Sequence, residues 1–372
     1  MLALLSLLRV AVASSEECSK IKAGLKKVAL SDIELPANAA PDMFRRKFEE
    51  HGVVVVRGLQ IAHAHAIAAA AQRAFDQSVS LMQRGKLAAV QNGEHVVGWN
   101  TPDQTLFIPA PQGHVRRKQV MVLGLDYYQD ASMLAGAADE RTLDVLQALT
   151  GWKAIELFGK GQLFYKEGIT NAASPGGVTR AMMGSNASAD VRHGASMAPG
   201  GNPKYLHQDS AYFMFAHQGA VASLTFAVDV SGDLDNGPLV VVPGSHRLGH
   251  LPHVDTPSHL GVPADEWSFD DALRVDAKAG DVVFFHIHML HGSLPNRSPS
   301  NRPVYINRYL EASDYQTFFA TDARMRELAR AAHEERERDG KVPPKERGYM
   351  VRGWREWSEV GPEWKLNAAV NH

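Results

Sequence analysis

Tyr205–Phe213 reads YLHQDSAYF, and the spacing inside it governs how the rest of the chain is read. In an extended strand alternate side chains face one way, roughly 6 to 7 Å apart, so His207 and Asp209 can reach one ion together. On a helix the same two positions diverge, because only i+3 and i+4 neighbours share a face. The flanking Tyr205, Leu206, Tyr212 and Phe213 favour the strand. A histidine and a carboxylate so placed are two thirds of the 2-His-1-carboxylate triad, which holds a non-haem Fe(II) and leaves coordination positions open. A second histidine must come from elsewhere in the chain.

The partner is expected at a strand end near a turn. His291 closes the run VFFHIHMLH from Val283 and is followed at once by Gly292. Strict alternation puts His286 and His288 on one face and His291 on the other, so the first two form a competing His-x-His pair. That pair would leave His207 and Asp209 without their partner, which favours His291. A second His-x-Asp, His253-Val254-Asp255, lies between Pro252 and Pro257 without alternation and reads as a polar surface loop.

Working outward, short alternating segments bounded by glycine begin at residue 154 and recur to 310. Ala154–Phe158, Gln162–Lys166, Ala220–Val230, Leu239–Val242, Val282–His291 and Arg302–Leu310 are the predicted strands. Asp235-Asn236-Gly237-Pro238 is a strong turn signal between two of them. Before this region, Pro41–His51 and the alanine-rich Ala62–Gly85 have helical character, and four valines from Val53 read as a buried strand. Gly93–Arg117 reads as loop with short strands, and Ala131–Gly151 as a helix with Leu143, Leu146 and Leu149 on one face. Thr321–Arg338 reads as a charged helix, and Trp354, Trp357 and Trp364 as a tail docked on the main body. The expected fold class is mainly β with flanking helices: a jelly-roll, or double-stranded β-helix, core.

Gly168–Pro203, rich in Gly, Ala, Ser, Asn and Met, has no strand or helix period, and reads as either a mobile lid over a site or plain disorder. Leu251–Arg274 is a second excursion. The domain plan is therefore residues 1–20 as a targeting or disordered segment and 21–372 as one domain. Within it, 21–151 is the helical N-terminal part, 152–312 the jelly-roll core and 313–372 a C-terminal helical extension.

Composition narrows the partners. The 372 residues carry 39 Lys plus Arg against 41 Asp plus Glu, a formal charge of -2, so nothing favours nucleic acid and a small-molecule substrate fits better. Cys18 is the single cysteine, which excludes an internal disulfide and a cysteine-rich zinc site. Any metal must be held by histidines and carboxylates. No membrane span is expected, since no stretch approaches about 18 uninterrupted apolar residues. Leu2–Leu8 with Ala11-Val12-Ala13 reads as either a processed targeting segment or a frayed helix, leaving a cytoplasmic and an organellar location both open. No sequence feature specifies an oligomeric state.

Three blocks in a fixed order resemble the phytanoyl-CoA dioxygenase family of Fe(II)- and 2-oxoglutarate-dependent oxygenases. They are LHQD around His207, DNGPLVVVPGSH over 235–246 and AGDVVFFHIHMLHGSLPN over 279–296, with EEHGVVVVRGL over 49–59 similar to the way family members begin. The resemblance implies a double-stranded β-helix binding Fe(II), 2-oxoglutarate and O2, with iron on His207, Asp209 and His291. It implies hydroxylation or a desaturation variant, since the carboxylate ligand is present. It also places Arg302, eleven residues after His291, on the far carboxylate of 2-oxoglutarate, where a permanently charged bidentate fork is needed. Arg308 lies on the same strand face, and without the family spacing the two arginines cannot be separated. Ser293 resembles a residue that hydrogen-bonds the same carboxylate, and Lys166 a lysine near the co-substrate; the plain readings are a turn serine and an edge lysine. Tyr212 and Phe213 read as pocket lining or as core. Two other readings remain: a catalytically silent metal-binding or sensing jelly roll, and a cupin-type metal enzyme that does not use 2-oxoglutarate.

Overall fold

Val53, Val54, Val55 and Val56 are all fully buried in the Val53–Arg57 strand. Val54 and Val56 face a helical layer and Val53 and Val55 face the opposite way, so one four-residue run serves two cores. That is why it is apolar throughout rather than alternating. The computed structural model describes residues 15–25, 28–84, 88–92, 95–100, 106–109, 120–125, 130–158, 161–166, 168, 203–212, 214–215, 219–255, 260–312, 316–318 and 349–354. The lid segment, Phe213, the charged helix over 321–338, Trp357 and Trp364 lie outside the described residues. Helix Ser15–Leu25 crosses residue 20, the expected edge of the N-terminal segment.

The major sheet runs in the order Glu34–Pro36, Val53–Arg57, Val282–His286, Val221–Phe226, Arg302–Glu311, Gly161–Lys166, then Val120–Leu125, Leu106–Pro109, His95–Asn100 and Ala88–Asn92. Ile155–Leu157 pairs with Arg302–Glu311 and carries Tyr349–Arg352 on its other side. Four of these strands fall between the two helical stretches of the N-terminal part, where they extend the sheet through Val120–Leu125. A minor sheet, Leu273–Val275, Leu239–Val241, His291–Ser293 and Lys204–His207, faces the major one. Between them Leu239, Val241 and Val275 meet Ala222, Leu224, Val283, Phe285 and Val304, the apolar filling of a jelly roll.

Helices cover the outer face of the major sheet. Pro41–His51 starts with proline at its first turn, stops at left-handed Gly52 (φ 68°), and buries Phe44 and Phe48, one turn apart. Glu140–Thr150 is capped by Asp139, whose carboxylate accepts from the amides of Arg141 and Thr142, and it buries Leu143, Leu146 and Leu149. Fully burying such side chains is worth about 1.5 to 3 kcal/mol each. Among the described residues no helix is long and apolar enough to cross a membrane.

Two expectations about the chain's course change. Val282–His291 is two strands: the major-sheet strand ends at His286, the Met289 amide closes a turn onto the His286 carbonyl at 2.8 Å, and His291 opens a strand of the minor sheet. Trp354 is 88% exposed and is not docked.

Candidate metal centre

His207 and His291 sit directly opposite each other across two antiparallel strands of the minor sheet, His207 as the last residue of one and His291 as the first of the other. Cross-strand partners share a face, and their ring centroids are 4.3 Å apart. Asp209 is not on the strand. The backbone leaves the sheet at Gln208 and Asp209 opens a 3-10 turn over Asp209–Ala211, which swings the carboxylate back toward the two imidazoles. Its Oδ1 lies 4.0 Å from His207 Nε2 and 3.8 Å from His291 Nε2. One ligand atom from each of the three falls within 4.8 Å of the others, the one such cluster among the described residues.

Protonation matches what a cation needs. Each imidazole Nδ1 lies against a backbone carbonyl, His207 on Tyr205 at 2.8 Å and His291 on Met289 at 3.0 Å. A carbonyl only accepts, so the proton sits on Nδ1 and Nε2 keeps its lone pair for a metal. Burial, then the neighbouring His291, pushes the His207 pKa down to about 3, and burial lowers that of His291. Burial works against ionising Asp209, yet the Arg308 guanidinium and the two histidines outweigh it and hold the carboxyl below its ordinary range. Arg308 Nε donates to Asp209 Oδ2 at 3.0 Å, and its Nη1 to Gln162 Oε1 at 3.0 Å. The rival arginine of the sequence thus serves Asp209.

Gln208, with no exposed surface, ties the ligand segment to its surroundings. Its amide nitrogen donates to the carbonyls of Gly249 and His288 at 2.7 Å each, its Oε1 accepts from the Leu251 amide at 2.7 Å, and its backbone N–H donates to His253 Nε2 at 3.0 Å. His253 is therefore half-buried behind the ligands rather than part of a free surface loop. His286 and His288 have ring centroids 5.2 Å apart and stay outside the cluster.

Arg302 opens the Arg302–Glu311 strand opposite Lys166. It is 2% exposed, and its Nε and Nη2 are buried with no hydrogen-bond partner among the described residues, while burial pushes its pKa down to about 9. Lys166 is fully buried, donates Nζ to the Leu294 carbonyl at 2.7 Å, and is held far below the lysine range by burial and then by the Arg302 and Lys204 charges. A buried guanidinium with open donors is a seat for an anion, and the chemistry of the donor set fits a carboxylate. Ser293, 7% exposed, is on the strand of His291, two residues on. Tyr212 follows the 3-10 turn, its ring edge-on to His207 with centroids 6.3 Å apart.

Sequence reasoning missed two contributors. Arg308 as the partner of Asp209 was legible only as a second arginine on the face of Arg302. Gln208 gave no signal, because its role depends on segments brought together from elsewhere.

Residues 7–304 match the profile of the family described as phytanoyl-CoA dioxygenase (PhyH). The peroxisomal phytanoyl-CoA dioxygenase of Bos taurus is 32% identical over 114 residues, covering 29% of this chain and 34% of that protein. The 1-deoxypentalenic acid 11-beta-hydroxylase of Streptomyces exfoliatus is 31% identical over 122 residues, covering 30% and 42%. The matched segment spans about a third of the length of the first curated relatives, 35% and 34% of two of them. Among solved structures, EctD from S. alaskensis with 2-oxoglutarate and 5-hydroxyectoine superposes with a TM-score of 0.50 at 17% identity, over 85% of this chain and 89% of that one. At that identity the likeness speaks for the fold alone. With the profile covering most of its length, the chain belongs to the phytanoyl-CoA dioxygenase family.

Proposed function

We propose that this protein is an Fe(II)- and 2-oxoglutarate-dependent dioxygenase that uses O2 to hydroxylate an unactivated C–H bond of a small molecule, releasing succinate and CO2. The observation that carries the reading is Arg302, a buried guanidinium with two donors open, in the same jelly roll as a neutral-His, anionic-Asp cluster. A structural arginine buried for stability alone would have its donors satisfied.

In this reading His207, Asp209 and His291 hold the iron, which when bound supplies the redox chemistry that activates O2. The protein's own work is electrostatic and geometric. The two carbonyl contacts fix the imidazole tautomers, and Arg308 keeps the buried Asp209 anionic. Arg302, with Ser293 from the strand of His291, takes the far carboxylate of 2-oxoglutarate, and Lys166 stands on the strand opposite Arg302. Tyr212 borders His207 and is a candidate for substrate contact, as is Phe213 next to it. The names of the relatives, a phytanoyl-CoA dioxygenase and a hydroxylase of 1-deoxypentalenic acid, support an organic small-molecule substrate.

Anaerobic titration of the Fe(II)-loaded protein with 2-oxoglutarate tests this. A weak visible charge-transfer band is expected, lost in His207→Ala. No band, or one that survives that substitution, defeats the reading and leaves a silent metal-binding protein. If Arg302→Ala leaves 2-oxoglutarate affinity unaltered, the cupin-type alternative without that co-substrate takes its place.

A further inference from the structure

The strand that delivers His207 begins with Lys204, and the pairing of that strand is irregular. His291 faces His207, but Ser293, two residues on, faces Lys204, three residues back. The extra residue is a bulge. Without it, Lys204 and His207 would point to opposite faces, since three positions along a strand reverse the side. With it, Lys204 stands across from Ser293 and points into the interior together with His207 and His291. Its Nζ lies 4.9 Å from the centroid of the Phe164 ring, on the opposing sheet. Phe164 shares a strand face with Gln162 and Lys166, and Gln162 holds Arg308, so this is the inner face. No carboxylate among the described residues pairs with Lys204.

We propose that Lys204 and Arg302 form a paired cationic seat for the distal carboxylate of 2-oxoglutarate, Lys204 reaching it from the minor sheet and Arg302 from the major one. The inference rests on the proposed use of 2-oxoglutarate. Lys166 is the weaker candidate, because its Nζ already donates to the Leu294 carbonyl. Lys204, by contrast, has the Phe164 ring beneath it and no ion-pair partner among the described residues, an arrangement that holds an ammonium in place while leaving its N–H donors for an anion. Burial also lowers the Lys204 pKa to about 8, which a carboxylate beside it would reverse.

The test compares two probes that differ in the distal carboxylate. With Mn(II) in place of iron, the affinities of 2-oxoglutarate and of pyruvate, which lacks that group, are measured for the wild type, Lys204→Met and Lys204→Arg. Lys204→Met should lose about ten- to a hundredfold in 2-oxoglutarate affinity, the size of one charge-assisted hydrogen bond. Pyruvate and Mn(II) affinities should stay within about twofold, a difference too small to reflect a lost contact of that kind. Lys204→Arg should recover part of the loss. Equal weakening of both keto acids would mean a merely structural lysine and overturn the proposal. Unchanged 2-oxoglutarate affinity would also overturn it and reassign Lys204 to an anion borne by the substrate. If the wild type binds no 2-oxoglutarate at all, the parent reading fails with it; if only the Lys204 effect is missing while Arg302→Ala still abolishes binding, this inference alone fails.

Discussion

Arg308 Nε donates to Asp209 Oδ2 at 3.0 Å across 99 residues of sequence, so the carboxylate corner of the cluster is fixed by the Arg302–Glu311 strand of the major sheet. Both side chains are almost fully buried. Removing one partner of a buried pair leaves the other charge without compensation, at a cost of about 3 to 5 kcal/mol, unless the survivor is neutralised. Asp209 would then take up a proton and cease to be a metal ligand. Arg308→Met should therefore weaken Mn(II) binding by about ten- to a hundredfold at neutral pH. Raising the pH should restore part of it, because deprotonation is the step made harder. Calorimetric titration at two pH values checks this, and wild-type affinity in Arg308→Met would show that the ion pair has no part in holding the metal.

Gln208 fills all of its side-chain hydrogen-bonding directions that its surroundings use, to Gly249, His288 and Leu251. Gln208→Leu keeps the bulk and strands two carbonyls and one amide in the interior. At about 1 to 3 kcal/mol for each unsatisfied buried group, the loss should exceed about 3 kcal/mol. Urea unfolding of the metal-free protein measures it. A change below about 1 kcal/mol would mean that water replaces the amide, and that Gln208 is filler rather than a tie.

The clustering of His207, Asp209 and His291 was legible for a reason that is only partly the real one. Period-2 alternation selected His291 over His286 and His288, and those two do stay out of the cluster, but the selection is made by a turn. After His286 the chain leaves the major sheet, and His291 enters the minor one opposite His207. Alternation cannot be carried through a turn, and no local signal marks where a run of apolar residues changes sheets. Asp209 shows the same limit, since His-x-Asp was read as one strand face and is a strand end followed by a 3-10 turn. The four valines were fully legible because burial on both faces writes itself into consecutive residues. Arg308, Gln208 and His253 were not, because a polar side chain acquires its partner only when strands distant in sequence meet.

A group of buried histidines behind the cluster gives the fold a pH dependence. Burial pushes the pKa values of His246, His253 and His288 down to about 4 and that of His286 to about 3. Their unfolded values are near the ordinary 6.5, so below that pH the unfolded chain takes up protons that the folded chain refuses. Stability is complete above about pH 6.5 and is lost as pH falls toward 4, by up to about 1.4 kcal/mol per pH unit for each such group. Thermal midpoints of the metal-free protein should fall steeply between pH 6.5 and 4.5. His286→Gln, which can still accept from the His288 amide, should flatten the slope by one proton. A flat profile in the wild type would show that these rings titrate in the fold as they do in water.

At Gly292 the strands that carry His207 and His291 approach closely. A Cβ placed there would lie 2.5 Å from the Lys204 carbonyl oxygen and 3.1 Å from that of Tyr205, both backbone atoms that no side-chain rotation can clear. Gly292→Ala must therefore spread the bulge that sets His291 against His207 and Ser293 against Lys204. The expected destabilisation is about 1 to 3 kcal/mol, typical of an overpacked site. Mn(II) and 2-oxoglutarate affinities should fall together, because the neighbours of Gly292 on either side are His291 and Ser293. Gly24→Ala is the matched control: nothing lies within 4 Å of its added Cβ, and it sits inside helix Ser15–Leu25. There alanine should leave both affinities unchanged and raise stability by about 0.5 to 1 kcal/mol. If Gly292→Ala binds both ligands as the wild type does, the close approach of the strands is not what positions the cluster.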